Sequence, residues 1–454
     1  MPTECIADLF GFAPADGRAV VAAFDGGRVT SDAGALLLSR TDRAIGLVGR
    51  FAACFREDRS ADVVEHSVSS IAMRRVFGIA LGYEDLADHD TLRHDPVLAA
   101  CAAKLAAGRR GCAPLAGKST LNRLEHAPAG QPGRYHRIGH DGAAIEHLLV
   151  EFFLDAHAAA PAEIVLDLDA TDDPLHGHQE GRFFHGYYDT YCTLPLHVFC
   201  GRHLLAARLR PANIDASAGT AGELARIVGQ VRTRWPAVRI IVRADSGFAR
   251  DAIMAWCEAN RVDFLLGLAR NSRLAGMIGE PLAAAAAESG ESGKPARRYA
   301  EFAYATRDSW SRERRVIAKA EQTGDRSNPR FVVTTLGGEA RQLYEDVHCA
   351  RGEMVNRIKE CRLDLFADRT SAATMRANQL RLWFAAMANV LVDSLRRIGL
   401  VKTDLARATC GTIRLRLLKI GALVRVSVRR VKVAMSSAWP CQQQYREACA
   451  ALAR

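Results

Sequence analysis

Hydrophobic positions change their period along this chain. Up to about residue 107 they recur every three or four residues, the pattern of helices with one buried face. Leu36, Leu37, Leu38 and Ile45 predict a helix over 32–43, with Ser31 placed to cap it. Ile71, Met73, Val76 and Phe77 predict another over 67–80, stopped by Gly82-Tyr83-Glu84-Asp85. Residues 107–134 are rich in Gly, Ala and Pro and read as a loop. Within it, Gly117-Lys118-Ser119-Thr120 is similar to the tail of a phosphate-binding loop. Cys112 stands where the first Gly of that motif belongs, and no strand precedes it. Ser119 reads instead as the cap of a helix over 120–126.

From residue 160 the pattern becomes that of buried strands and amphipathic helices. Strands are expected over 164–169, 191–200 and 203–209, with a tight turn at Cys200-Gly201-Arg202. A helix over 221–234, a strand over 238–245, a helix over 251–261 and a strand over 262–269 follow. Three strands, helix, strand, helix, strand is the order of a ribonuclease H-like α/β domain. Residues 270–340 read as an insertion. Its first part is expected to be flexible (Ala283–Ala287, then Ser289-Gly290-Glu291-Ser292-Gly293), and its second to form strands over 299–306, 313–321 and 330–336. Long helices return over 343–365 and 371–395.

Charge adds a polarity to this plan. The formal net charge is +10 over 454 residues. Residues 381–454 hold fourteen Lys and Arg against Asp393, Asp404 and Glu447, a local +11 that leaves the preceding 380 residues at −1. Such a segment suits a polyanion such as DNA, since each phosphate contact releases counterions; a solvated basic surface is the plainer reading. Val424, Val426 and Val428 alternate with Arg425, Ser427 and Arg429, a half-buried strand with one basic face. Together with Arg414, Arg416, Lys419 and Arg430 it offers a phosphate-contacting surface. No apolar run is long enough for a membrane span, and twelve Cys without a CxxC pair suit reduced thiols in a cytosol. The first eleven residues carry no basic-then-apolar leader, so secretion is not expected.

Asp169 and Asp245 each close an apolar strand. Strand ends of an open α/β sheet face a ligand crevice. Two carboxylates brought together there repel unless a cation lies between them, and Mg²⁺ suits such oxygen donors. Capping or turn aspartates are the alternative. His176, His178 and His185 lack a partner pair for zinc and read as loop residues near substrate. Trp310 and Tyr304 could stack on an extruded base, with sheet packing as the commoner role.

Several segments resemble the bacterial insertion-sequence DDE transposases, specifically the insertion sequence 1380 family. They are Asp167-Leu168-Asp169-Ala170-Thr171, Gly177-His178-Gln179-Glu180-Gly181 and Arg243-Ala244-Asp245-Ser246-Gly247-Phe248. Arg330-Phe331-Val332-Val333-Thr334, Arg351-Gly352 with Ile358-Lys359-Glu360, and Ala377-Asn378-Gln379-Leu380-Arg381-Leu382 continue the likeness. It runs from about Ser31 to Ser436. The resemblance implies a helical DNA-binding region over 1–150, a ribonuclease H-like catalytic domain over 160–270 and 341–395, a β-rich insertion over 271–340 and a basic segment over 396–454. It implies cleavage and strand transfer at terminal inverted repeats, with Mg²⁺ (or Mn²⁺) on Asp169 and Asp245. Arg351 would contact DNA, and double-stranded DNA and a second copy in the synaptic complex would be the partners. A cytoplasmic, nucleoid-associated protein is expected.

One departure stands out. The family's third acid belongs to a Tyr, Arg, Glu, Lys signature, which falls here on His348, Arg351, Val355 and Arg362. Valine cannot ligate a metal. At about 100° per residue these four share a helical face, whereas Glu353, the fallback acid, and Glu360 point elsewhere. Impaired catalysis is therefore expected, with an inactive DNA-binding descendant as the rival reading. A structure-specific nuclease is a third, which leaves the full set of matched segments unexplained.

Overall fold

The computed structural model describes residues 10–106, 112–130 and 133–453. The acidic start up to residue 9 and parts of the 107–134 loop lie outside them. The chain forms two compact units. One gathers 1–124, 132–139 and 391–454; the other holds 125–131 and 140–390.

The larger unit is built on a mixed sheet. Its spatial order is His203–Arg208, Leu196–Cys200, Glu163–Ala170, Arg239–Ala244, Asp263–Leu268, Arg330–Thr334, Arg314–Thr323 and Ala296–Tyr304. Glu163–Ala170, Arg239–Ala244 and Asp263–Leu268 run parallel, and their neighbours on either side run antiparallel. The central strands are near-continuous apolar runs because both faces are covered. Leu166, Leu168, Ile240, Val242, Phe264 and Leu266 pack with Leu224, Ile227 and Val231 of helix Thr220–Arg234 and with Ile253 and Met254 of helix Asp251–Ala259.

Three expectations need correcting here. The 191–200 run is two strands, Thr190–Thr193 in a small separate sheet and Leu196–Cys200 in the main one. Pro195 lies between them and has no N–H to donate to a ladder. The segment expected to be flexible is a helix, Gly279–Ser292, closed by Gly293 in the left-handed region (φ 65°). Its alanines are strong helix formers, and Ala285 and Ser289 are buried. The 343–365 helix is not uniform: a π-turn at Leu343–His348 and a 3₁₀ turn at Cys349–Arg351 precede the α-helix Gly352–Leu365. The strands of 296–334 continue the main sheet, through antiparallel pairing of Asp263–Leu268 with Arg330–Thr334.

The other unit packs short helices with a three-stranded sheet of Val431–Met435, Ala422–Val426 and Val29–Thr30. Its first helix starts at Ala35, not at 32, and Ser31 does not cap it. Residues 33 and 34 are tied sideways instead, Ala33 N–H to the Ile420 carbonyl and Gly34 N–H to that of Leu418. Helix Val68–Leu81 begins at Ser67, whose side chain accepts from the Ser70 N–H, and ends at Gly82 with φ 95°. The helix expected from 120 starts at Lys118, because the Asp90 carboxylate accepts the Lys118 N–H at 3.0 Å. That carboxylate takes the first N–H of the helix, the task expected of Ser119.

Candidate active site

Parallel register brings the two strand-end acids together. Arg239–Ala244 runs beside Glu163–Ala170 with Arg243 opposite Asp167 and Ala244 opposite Leu168, so Asp169 and Asp245 emerge at one edge. Asp245 opens a short turn, Ser246–Phe248, and its Oδ1 accepts the Gly247 N–H at 2.8 Å. Gly267, on the next strand, is needed for this approach. A Cβ there would stand 2.9 Å from the Ser246 nitrogen and 3.3 Å from the Asp245 Cα.

A single guanidinium nitrogen joins the pair. Arg351 Nη2 donates to Asp169 Oδ1 and lies 3.4 Å from Asp245 Oδ2. A positive side chain thus stands where two converging carboxylates call for a cation. Burial pushes the Asp169 carboxyl up to about 6; Arg351 pulls it down and Asp245 pushes it up.

Asp167 has a different task. It shares a face of the strand with Asp169, two residues on, but Arg243 grips both its oxygens at 2.6 and 2.8 Å. Arg243 also donates to the Val347 carbonyl. This ties the distorted turn before Arg351 to the sheet and so positions Arg351. Asp173 is buried, accepts Thr370 Oγ1–H at 2.6 Å, and is pushed by burial up to about 7. Thr193 Oγ1 lies 3.4 Å from the same oxygen, so this acid is engaged apart from the Asp169–Asp245 pair.

The acids of the following helix do not join the pair. Glu353 is 80% exposed and 3.9 Å from Arg357, while Glu360 is buried against Arg357 at 2.7 Å. Val355 lies one turn beyond Arg351, on the face carrying Arg362, whose Nη1 is 3.4 Å from Thr171 Oγ1. His348 is half-buried in the π-turn beside Tyr344, and desolvation lowers its pKa to about 4. Among the described residues no group of three His, Cys, Asp or Glu could hold a metal. The donor set is two carboxylates. That suits one Mg²⁺ completed by water and phosphate oxygens and falls short of a three-acid, two-metal centre.

Other sequence candidates separate. Arg414 donates to the Ile79 and Ala80 carbonyls at the end of helix Val68–Leu81. Lys419 bonds Asp32 Oδ1 at 2.7 Å and lies over the Tyr83 ring. Both are held within the smaller unit. Arg416 is 3.6 Å from Asp404, whereas Arg425, Arg429 and Arg430 are exposed. Trp310 packs edge-on to Tyr304, which is buried. His185 lies beside Tyr188.

Sequence reasoning missed Arg243, Tyr188 and Gly267. An arginine inside an apolar strand was the available signal for Arg243. Tyr188, whose hydroxyl donates to the Ala170 carbonyl at 3.1 Å, had none.

A mixed sheet with paired carboxylates at adjacent strand ends is the frame of a DDE enzyme, a class that generally uses divalent metal ions. Comparison with known families agrees: the pattern for Transposase DDE domain group 1 matches residues 12–454, and the chain belongs to that family. Transposition is the function the family implies. No curated protein matches the chain. No described helix is long and apolar enough to cross a membrane.

Proposed function

We propose that this chain is a transposase of the insertion sequence 1380 type, with a ribonuclease H-like catalytic unit, that binds the terminal inverted repeats of its element and is impaired in cutting them. The observation that carries this reading is the convergence of Asp169 and Asp245 on one nitrogen of Arg351. Mg²⁺, or Mn²⁺ in its place, would be held by Asp169 and Asp245, and when bound it supplies Lewis-acid polarisation of phosphate oxygens. The chain's own residues prepare that site. Asp167 and Arg243 fix the approach of the Arg351 turn, Gly267 lets Asp245 sit close, and Arg351 neutralises the acid pair until a cation takes that task. DNA contacts are assigned to Arg351 and to the exposed basic residues Arg416, Arg425, Arg429 and Arg430. A second copy is needed because two ends must be held together, and the reaction belongs in the cytoplasm at the nucleoid.

A second reading, a DNA-binding descendant without catalysis, is favoured by Val355 and by the absence of a third acid among the described residues. Single-turnover cleavage of labelled DNA flanking the coding sequence, in Mg²⁺, tests both. Val355→Glu should cleave at least about 100-fold faster than the parent, roughly 2.7 kcal/mol in barrier. Glu353→Ala should change little. Equal rates for parent and Val355→Glu, with collapse on Glu353→Ala, would put the third acid at Glu353. Binding without cleavage in all three proteins would favour the non-catalytic reading.

A further inference from the structure

The smaller unit carries a β-hairpin whose two ends differ in chemistry. At its base, Ala422 and Val424 are buried, and Ala422 packs with Ala33 and Ile420 while Val433 and Met435 cover that cluster. At its far end, Ser427 and Arg430 close a two-residue turn, with Ser427 N–H bonded to the Arg430 carbonyl at 2.9 Å. The tip residue Val428 is fully exposed.

Register puts the positive charge on one face. Arg425 lies directly opposite Lys432, and Ser427 and Arg430 continue that side. Two like charges facing each other across a ladder are destabilising. Arg425, Arg429, Arg430 and Lys432 are all exposed, and none has an acidic partner among the described residues. The nearest acids in sequence, Asp404 and Glu447, are engaged elsewhere, with Arg416 and Gln444 and with Gln443. A fold alone gains nothing from this arrangement; a polyanion laid against it removes the repulsion.

We propose that the 422–435 hairpin is a ribbon that enters the major groove of double-stranded DNA, its basic face on the flanking phosphates and Val428 against base edges. The proposal rests on the reading of the chain as a DNA-acting protein and adds the element and the groove. A two-stranded ribbon matches the major groove, about 12 Å wide, and is too broad for the minor groove at about 6 Å. Arginines suit both phosphate and guanine O6/N7 contacts, and an exposed aliphatic tip suits thymine methyl groups.

The test uses the full chain and a mixed-sequence duplex of about 30 base pairs, with binding followed by anisotropy from low to moderate salt. Replacing Arg425, Arg429, Arg430 and Lys432 together by Ala should lower the salt slope by about three and the affinity at least about tenfold. Wild type should protect guanine N7 from dimethyl sulfate, and the variant should not. Because these side chains are exposed and their removal relieves the Arg425–Lys432 repulsion, the variant should keep the parent's circular dichroism and melt no lower than the parent. Val428→Glu, a single change at the tip, should also weaken binding and lose N7 protection. An unchanged slope and unchanged protection in a wild type that binds DNA would overturn the hairpin's role alone. A reduced slope with N7 protection retained would overturn groove entry. A wild type that binds no DNA at any salt would overturn the functional reading as well.

Discussion

Asp167 and Asp169 lie two residues apart on one face of one strand, yet replacing each by Asn should move stability in opposite directions. Burial holds the Asp169 carboxyl at about 6, well above the ordinary carboxylate range. That rise corresponds to about 3 kcal/mol by which the folded environment disfavours the ionised form. A carboxyl whose pKa is raised on folding contributes stability that is present below pH 4 and lost as pH rises through 6. Asp169→Asn keeps the shape without the charge. At pH 8 the variant should therefore be more stable than wild type, by about 1–3 kcal/mol once the weaker bond to Arg351 is counted. The gain should shrink as pH falls below 6 and vanish below about pH 4. Burial raises the Asp167 carboxyl as well, but Arg243 holds both of its oxygens and has no second acid among the described residues, whereas Arg351 keeps Asp245 when Asp169 is neutral. Arg243 and Asp167 are 10% and 4% exposed, and a guanidinium stays charged at any accessible pH. Asp167→Asn leaves that charge buried and half-paired, at a cost of about 3–5 kcal/mol. Urea unfolding followed by tryptophan fluorescence reads this directly, since Trp235, Trp256, Trp310 and Trp383 lie in the larger unit and Trp439 in the other. Destabilisation by both changes at pH 8, or a gain for Asp169→Asn that persists undiminished at pH 3.5, would refute the reasoning.

Two further expectations concern the same acid pair. Mn²⁺ affinity, measured by calorimetry, should fall about tenfold per pH unit below pH 6 as Asp169 takes up its proton, and Arg351→Met should bind Mn²⁺ more tightly because no guanidinium competes; weaker binding would show that Arg351 supports the ion. Gly267→Ala should push the Asp245 turn away, weakening Mn²⁺ binding and lowering the melting temperature by the few degrees that about 1–3 kcal/mol of overpacking produces; an unchanged protein would mean that the turn can yield.

Much of this molecule was legible along the chain. Apolar runs ending in an acid located Asp169 and Asp245, because a buried strand must be apolar and a strand end is where it meets solvent. The turn at Gly201 and the helix stop at Gly82 followed from local backbone chemistry, which acts over a few residues. Tertiary structure decided what depends on register and packing between distant segments. The Arg243 register spends Asp167 on a structural pair and leaves Asp169 for the site, a choice that two aspartates in one motif cannot reveal. A π-turn and a 3₁₀ turn ending at Arg351 precede the α-helix, so the uniform 100° advance that placed His348 with Val355 holds only from Gly352 onward. The basic C-terminal residues looked equivalent in sequence. Folding buries the reach of Arg414 and Lys419 in helix-end carbonyls and Asp32, and leaves Arg425, Arg429 and Arg430 on a hairpin facing solvent. Charge counts along a chain, but only the fold determines which charges are already neutralised.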